Sequence, residues 1–252
     1  GAISPDGKHF ISVFEGNGGR FMLNHDGKVK PLHKNIWLVD NLIVTDSGDF
    51  CLKFILAQNE KSYLLINNQL YGPFNDFNCG GPDMNTKGDW VFSYTNRKKE
   101  KFVRCNSGNF GPFLSNDDDM QIVRMAPNGQ PAYLHGGVIS FGDSSWPVFD
   151  GLTGIEISPK NKIAFSYLHN QKHYVHISEN KTFGPYDYIV DGLRLFDDDT
   201  FKFAILTEFN EWKIINNGVP GETLRATEFL SSGNSRSEPY WFSWFDGYNA
   251  YL

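Results

Sequence analysis

Short runs dense in aromatic and branched side chains alternate along this chain with polar corners rich in Gly, Asp and Asn, and no segment carries apolar positions at a helical period. The runs open at His9, Phe50, Trp90, Pro131, Ile163, Phe201 and Tyr240, so successive starts lie 41, 40, 41, 32, 38 and 39 residues apart. Corners precede them at Pro5-Asp6-Gly7-Lys8, Asp46-Ser47-Gly48-Asp49, Thr86-Lys87-Gly88-Asp89, Pro127-Asn128-Gly129-Gln130 and Pro159-Lys160-Asn161-Lys162. Gly and Asn tolerate positive φ, so these corners reverse the chain between strands. Asp197-Asp198-Asp199 holds the same slot in the next copy and reads as a turn.

After each run comes a second strand with period two, such as Tyr63-Leu64-Leu65-Ile66 or Tyr174-Val175-His176-Ile177. A piece built around proline follows: Tyr71-Gly72-Pro73-Phe74, Phe110-Gly111-Pro112-Phe113, Trp146-Pro147-Val148-Phe149 and Phe183-Gly184-Pro185-Tyr186, with weaker versions around Pro31 and Pro220. Proline has no N–H to give an interior ladder, so its recurrence marks an outermost strand. The apolar segment leading to the next corner, such as Leu42-Ile43-Val44 or Leu193-Arg194-Leu195-Phe196, is then the innermost strand of the following unit.

Four strands in about 40 residues, repeated, predict an all-β chain of β-propeller type. Seven four-stranded antiparallel blades are expected, with six as the alternative. The expected organisation is one domain over residues 1–252, with repeats near 1–33, 34–74, 75–113, 114–148, 149–186, 187–220 and 221–252. A parallel β-helix would show shorter rungs. The first copy keeps only the tail of an inner strand, Ala2-Ile3-Ser4, and the last stops before a proline strand, so incomplete terminal blades are expected.

Composition narrows the partners. A net charge of -6 argues against nucleic acid, whose binding rests on clustered Lys and Arg. The densest basic run, Arg97-Lys98-Lys99-Glu100-Lys101, falls between strands and reads as a solvated hairpin tip. No apolar stretch approaches the ~18 residues of a spanning helix, so membrane insertion is not expected. The start at Gly1-Ala2, without Met, is compatible with a removed signal sequence. Cys51, Cys79 and Cys105 form no CxxC pair, and Cys51 reads as a small buried hydrophobe.

The corner Ser4-Pro5-Asp6-Gly7-Lys8 before a Phe-rich strand resembles the WD40-like "PD40" repeats of bacterial propellers such as the TolB C-terminal domain. Ser-Pro recurs only at residues 158–159, and no Gly-His to Trp-Asp pairing occurs. The resemblance implies a propeller fold and favours a periplasmic or secreted bacterial setting; it implies no particular partner, because propellers host unrelated functions.

Catalytic constellations are not evident. His169, His173 and His176 span a hairpin loop and its returning strand, without HExxH spacing, and read chiefly as exposed loop histidines. No Gly-x-Ser-x-Gly elbow occurs, and the glycine clusters precede no helix. No metal and no cofactor are expected. The aromatic surplus, 22 Phe, 11 Tyr and 6 Trp, suits packing between blades, and some of it suits binding. Candidate face residues are Trp37 and the acids Asp40, Asp76, Asp117, Asp118, Asp150 and Asp187, placed where the chain crosses from one blade to the next. A recurring Asp there braces the crossing through hydrogen bonds to backbone, or lines an acidic funnel. The expectation is a non-catalytic scaffold that binds a protein, or an extended glycan or peptide, on the face of the crossings. The alternative is a glycan-active hydrolase or lyase with paired carboxylates at the central channel.

Overall fold

A computed structural model describes residues 1–74, 81–113, 123–148, 151–178, 181–196, 200–208, 211–225, 228–231, 242–245 and 250–251. These residues build seven antiparallel sheets, six of four strands and one of three, in the order in which the strands occur along the chain. The first comprises β1 (Ala2–Ile3), β2 (Phe10–Glu15), β3 (Arg20–His25) and β4 (Lys28–Lys34); the second, β5 (Ile36–Val44), β6 (Phe50–Leu56), β7 (Lys61–Ile66) and β8 (Gln69–Phe74). The third holds β9 (Asp83–Met84), β10 (Trp90–Thr95), β11 (Lys101–Cys105) and β12 (Gly108–Phe113); the fourth, β13 (Val123–Met125), β14 (Pro131–His135), β15 (Val138–Phe141) and β16 (Ser144–Pro147). The fifth consists of β17 (Gly151–Ile157), β18 (Ile163–His169), β19 (Lys172–Ile177) and β20 (Lys181–Tyr186). The sixth consists of β21 (Tyr188–Leu195), β22 (Phe201–Glu208), β23 (Glu211–Asn216) and β24 (Val219–Arg225), and the three-stranded sheet of β25 (Glu228–Ser231), β26 (Phe242–Phe245) and β27 (Ala250–Tyr251). This is the repeated meander blade of the β-propeller class. The chain divides into two compact units, Gly1–Ser145 and Trp146–Leu252, with the boundary inside β16.

Every proline motif lies in an outermost strand, as expected: Pro31 in β4, Pro73 in β8, Pro112 in β12, Pro147 in β16, Pro185 in β20 and Pro220 in β24. The Gly-Pro copies do more than end a ladder. Gly72, Gly111 and Gly184 take φ of 117°, 117° and 125°, each opposite a register shift in the neighbouring strand, and the Gly-Pro bonds are cis. A Cβ on them would stand 2.8–2.9 Å from the carbonyl oxygens of Ser62, Lys101 and His173, and 2.9–3.1 Å from the rings of Tyr63, Phe102 and Tyr174. Only glycine fits that approach. The three rings in turn stack on Phe54, Tyr94 and Tyr167 across the strand pair, at 5.6, 5.3 and 5.6 Å between centroids.

The aromatic pair flanking each Gly-Pro covers the next sheet. Within the first unit, Tyr71 and Phe74 pack on Trp90, Phe92 and Tyr94, and Phe110 and Phe113 pack on Tyr133 and His135. Within the second, Phe183 meets Phe201 at 4.8 Å and Tyr186 meets Phe203 at 5.4 Å. Sequence spacing therefore writes the packing directly: the edge strand of one blade supplies the lid for the second strand of its successor. Cys51 and Cys105 are buried in these layers, as read for Cys51; Cys79 lies outside the described residues.

Candidate functional site

Because strands alternate in direction, each sheet has two distinct ends. The corners between first and second strands and the turns between third and fourth lie at one end. The turns between second and third strands and the crossings to the next sheet lie at the other.

The corner end is tied internally and, within the first unit, from sheet to sheet. In each of the five predicted corners the backbone closes on itself, for example Asn85 N to Asp89 O at 2.9 Å and Gly88 N to Asn85 O at 3.1 Å. The Asn85 side chain, 2% exposed, accepts from Lys87 N and Asp89 N and donates to Asp89 Oδ2 and to Ala126 O of the next sheet. Asp6 N donates to Asp46 Oδ1 at 2.8 Å across the first two sheets. The last corner residue of one sheet also leans on the glycine of the next: a Cβ at Gly48, Gly88 or Gly129 would stand 3.1, 2.4 or 3.1 Å from His9, Asp49 or Asp89. A side chain from the opposing turn completes the arrangement. Asp26, Asn67, Asn106, Ser178 and Asn217 each accept the N–H that opens the second strand, from Phe10, Phe50, Trp90, Ile163 and Phe201. His9 Nδ1–H donates to Asp26 Oδ2 at 2.7 Å, and that contact holds the Asp26 carboxyl below its ordinary range. Asp6 is likewise held below its ordinary range, first by Lys8 and then by Ser4.

The crossing end is built differently. Asn35, at φ 59°, is the whole connection between β4 and β5. Trp37 and Asp40 therefore lie inside the inner strand and not in the connection. β5 is longer than the expected Leu42-Ile43-Val44 because register shifts between Ile36 and Leu38 and between Asp40 and Leu42 let seven of its nine residues keep their pairing with β6. Each shift inserts an unpaired residue and breaks the alternation a sequence reading relies on. Trp37 is 62% exposed and Leu38 46%. Asp40 pairs in register with Lys53, and its Oδ2 lies 3.1 Å from Nζ of that lysine, whose side chain is 6% exposed. In the second unit, Asp187 forms an ion pair with Lys172 and the neighbouring Tyr188 is half-exposed. Both described acids thus meet lysine ammonium groups; the expected hydrogen bonds to backbone are not what these side chains show. Asp76, Asp117, Asp118 and Asp150 lie outside the described residues, as do Asp197–Asp199.

The basic run ends in a compact turn as expected, with Asn96 Oδ1 accepting from Lys98 N and Glu100 N. The histidine reading needs correction. His176 is not an exposed loop residue: it sits within β19 at 9% exposure, stacked on Phe165 at 4.8 Å and 6.0 Å from Trp146. Its Nδ1 lies 3.1 Å from Thr182 Oγ1, its Nε2 is buried without a hydrogen-bond partner, and burial lowers its pKa. His173 pairs with Leu168 and His176 with Phe165, so strand alternation puts the two imidazoles on opposite faces of the sheet. Among the described residues no group of three or more His, Cys, Asp or Glu is placed to hold a metal ion, and no helix is long and apolar enough to cross a membrane.

Sequence reasoning passed over Lys53, Leu38 and Tyr188. A signal for Lys53 existed, as the one charge in the run Phe50–Leu56. Tyr188 stands eight residues before the corner residue Phe196, the same offset as Trp37 from Thr45.

No family model and no curated protein matches this chain. Among solved structures it is similar to a catalytically inactive virginiamycin B lyase from Staphylococcus aureus with quinupristin (11% identity, 94% of this chain and 82% of that one, TM-score 0.49). It is also similar to BBS1N in complex with ARL6DN (9% identity, 96% and 88%, TM-score 0.43) and to YCF48 bound to D1 peptide (9% identity, 79% and 76%, TM-score 0.44). At these identities and scores no residue role, activity or ligand transfers.

Proposed function

We propose that this chain is a non-catalytic β-propeller scaffold that engages a protein or an extended glycan or peptide through the crossing ends of its blades. The observation that carries the reading is the contrast in side-chain use. Corner-end polar groups are consumed in bracing the fold, while Trp37, Leu38 and Tyr188 present large apolar surface to solvent at the crossing end. Asp76, Asp117 and Asp118 in the first unit, and Asp150 in the second, belong to the same series by their position in the repeat, and each is proposed to serve the crossing end of its own blade.

The reading is tested by screening the protein against peptide and glycan arrays, then repeating the screen with Trp37→Ala and with Asp117→Asn/Asp118→Asn. Capture of the leading ligand should fall by about tenfold or more, about 1.4 kcal/mol. Capture that survives both variants at full strength removes the crossing ends from the binding surface.

A further inference from the structure

The sequence holds three Asn-Gly pairs, Asn17-Gly18, Asn128-Gly129 and Asn217-Gly218, and all three lie in described turns. An asparagine amide is open to attack by the backbone nitrogen of the residue that follows it, and glycine, having no side chain, obstructs that attack least. Which of the three is chemically labile is then decided by what the fold does with the amide and with the nitrogen.

Two of the pairs are locked. Asn128 Oδ1 accepts from Gln130 N at 3.0 Å and its Nδ2 donates to Gln130 Oε1 at 3.1 Å, while Gly129 N donates to Ala126 O at 2.9 Å, so the nitrogen that would attack is itself engaged. Asn217 Oδ1 accepts from Phe201 N at 2.8 Å, Asn217 N donates to Phe201 O at 3.0 Å, and a Cβ on Gly218 would stand 2.4 Å from the Phe183 ring. Asn17 is held by nothing comparable. It is exposed, its side chain makes no hydrogen bond among the described residues, and nothing lies within 4 Å of the place a Cβ would take on Gly18. The pair opens a single 3-10 turn, Asn17–Gly19, preceded by Gly16 and with Gly18 and Gly19 at φ of 70° and 71°. Hydrogen bonds in such a turn have poor geometry, so the backbone reshapes readily toward the geometry of attack.

We propose that Asn17 is a site of spontaneous deamidation, selected by the fold from the three Asn-Gly pairs. Gly18 N attacks Cγ of Asn17; the N–Cγ bond forms, the Cγ–Nδ2 bond breaks, and the amide nitrogen leaves as ammonia with the proton that Gly18 N gives up. Water then opens the five-membered succinimide at either carbonyl, leaving an aspartyl residue at position 17 or an isoaspartyl one, with the main chain longer by one methylene. The net change is uptake of water and loss of ammonia, with no change of oxidation state. The turn joins β2 to β3 at the crossing end of the first sheet, so the product places a new carboxylate there, two residues from Glu15, on a chain that already carries a net charge of -6. The modification needs no ligand and stands whether or not the crossing ends bind one.

The test ages the whole chain in mildly alkaline buffer at body temperature and samples it over days. After proteolysis, mass spectrometry locates each gain of about 1 Da, and chromatography separates aspartyl from isoaspartyl peptides. In the folded chain Asn17 should convert about tenfold or more faster than Asn128 or Asn217, because at the locked pairs hydrogen bonds or packing must yield before the nitrogen can attack. In concentrated urea the three rates should converge, since the turns that distinguish them are gone. Asn17→Gln should stop conversion at position 17 in the folded chain, because glutamine would have to close a six-membered ring. Conversion of Asn128 or Asn217 in the folded chain as fast as that of Asn17, or no conversion at Asn17, overturns the proposal. A preference for Asn17 that persists unchanged in urea overturns it as well, since local sequence and not the fold would then make the selection.

Discussion

At the corner end of the third sheet, one buried side chain, Asn85, makes four hydrogen bonds and reaches the backbone of the next sheet; at the crossing end of the second, Trp37 stands 62% exposed on the strand that carries the Asp40–Lys53 ion pair. The two ends are made from the same strands, so the difference comes from side chains. A buried amide that satisfies several backbone groups is irreplaceable by an apolar residue, because its removal leaves those groups unpaired. An indole that is 62% exposed has most of its surface in water already, so its removal changes little apolar burial. Bracing hydrogen bonds and exposed apolar surface thereby lie at opposite ends of the blade, which on the proposed function leaves each free to change without disturbing the other.

That separation can be attacked in order of expected effect. Asn85→Ala should cost about 3 kcal/mol, read as a lower urea midpoint, since two donors and two acceptors lose partners. A cost near zero would mean water replaces the side chain and the corner is not the brace described. Gly88→Ala should cost about 2 kcal/mol by the same measurement, because φ is 82° and the new methyl must displace the Asp49 carboxylate, 2.4 Å from its ideal position.

Acidification gives a third, smaller effect that belongs to neither end. The folded-state pKa of His176 is lowered by burial, so the unfolded chain binds its proton first as pH falls. Stability should be full above the ordinary histidine value of 6.5 and decline below it until the folded pKa is passed. His173 contributes with the same sign, again through burial. His176→Phe should flatten the urea midpoint between pH 7 and pH 5 relative to the parent; an unchanged slope would place the acid sensitivity elsewhere.

How far the blade was legible from residues alone follows the same division. Corners, edge prolines and the aromatic lids announce themselves because each depends on residue types at fixed offsets, as Gly111, Pro112 and the flanking Phe110 and Phe113 show. The start of β5 did not, because two bulges interrupt its alternation, and Asp40 therefore looked like part of a connection. Its partner Lys53 lies 13 residues on, and only the antiparallel register brings the two together. His176 was misread for a related reason: it follows a hairpin turn at Asn170-Gln171 that invites a loop reading, but strand pairing carries it against Trp146 and Phe165. Local chemistry is written locally, whereas a site assembled across a ladder needs the ladder.

The most direct measurement is urea denaturation of Trp37→Ala/Tyr188→Ala beside Asn85→Ala. The division of labour predicts that the crossing-end pair loses less than about 1 kcal/mol in total while the corner variant loses about 3. A loss from the aromatic pair equal to or greater than that from Asn85→Ala would show that the crossing ends hold the blades together, and would contradict the account.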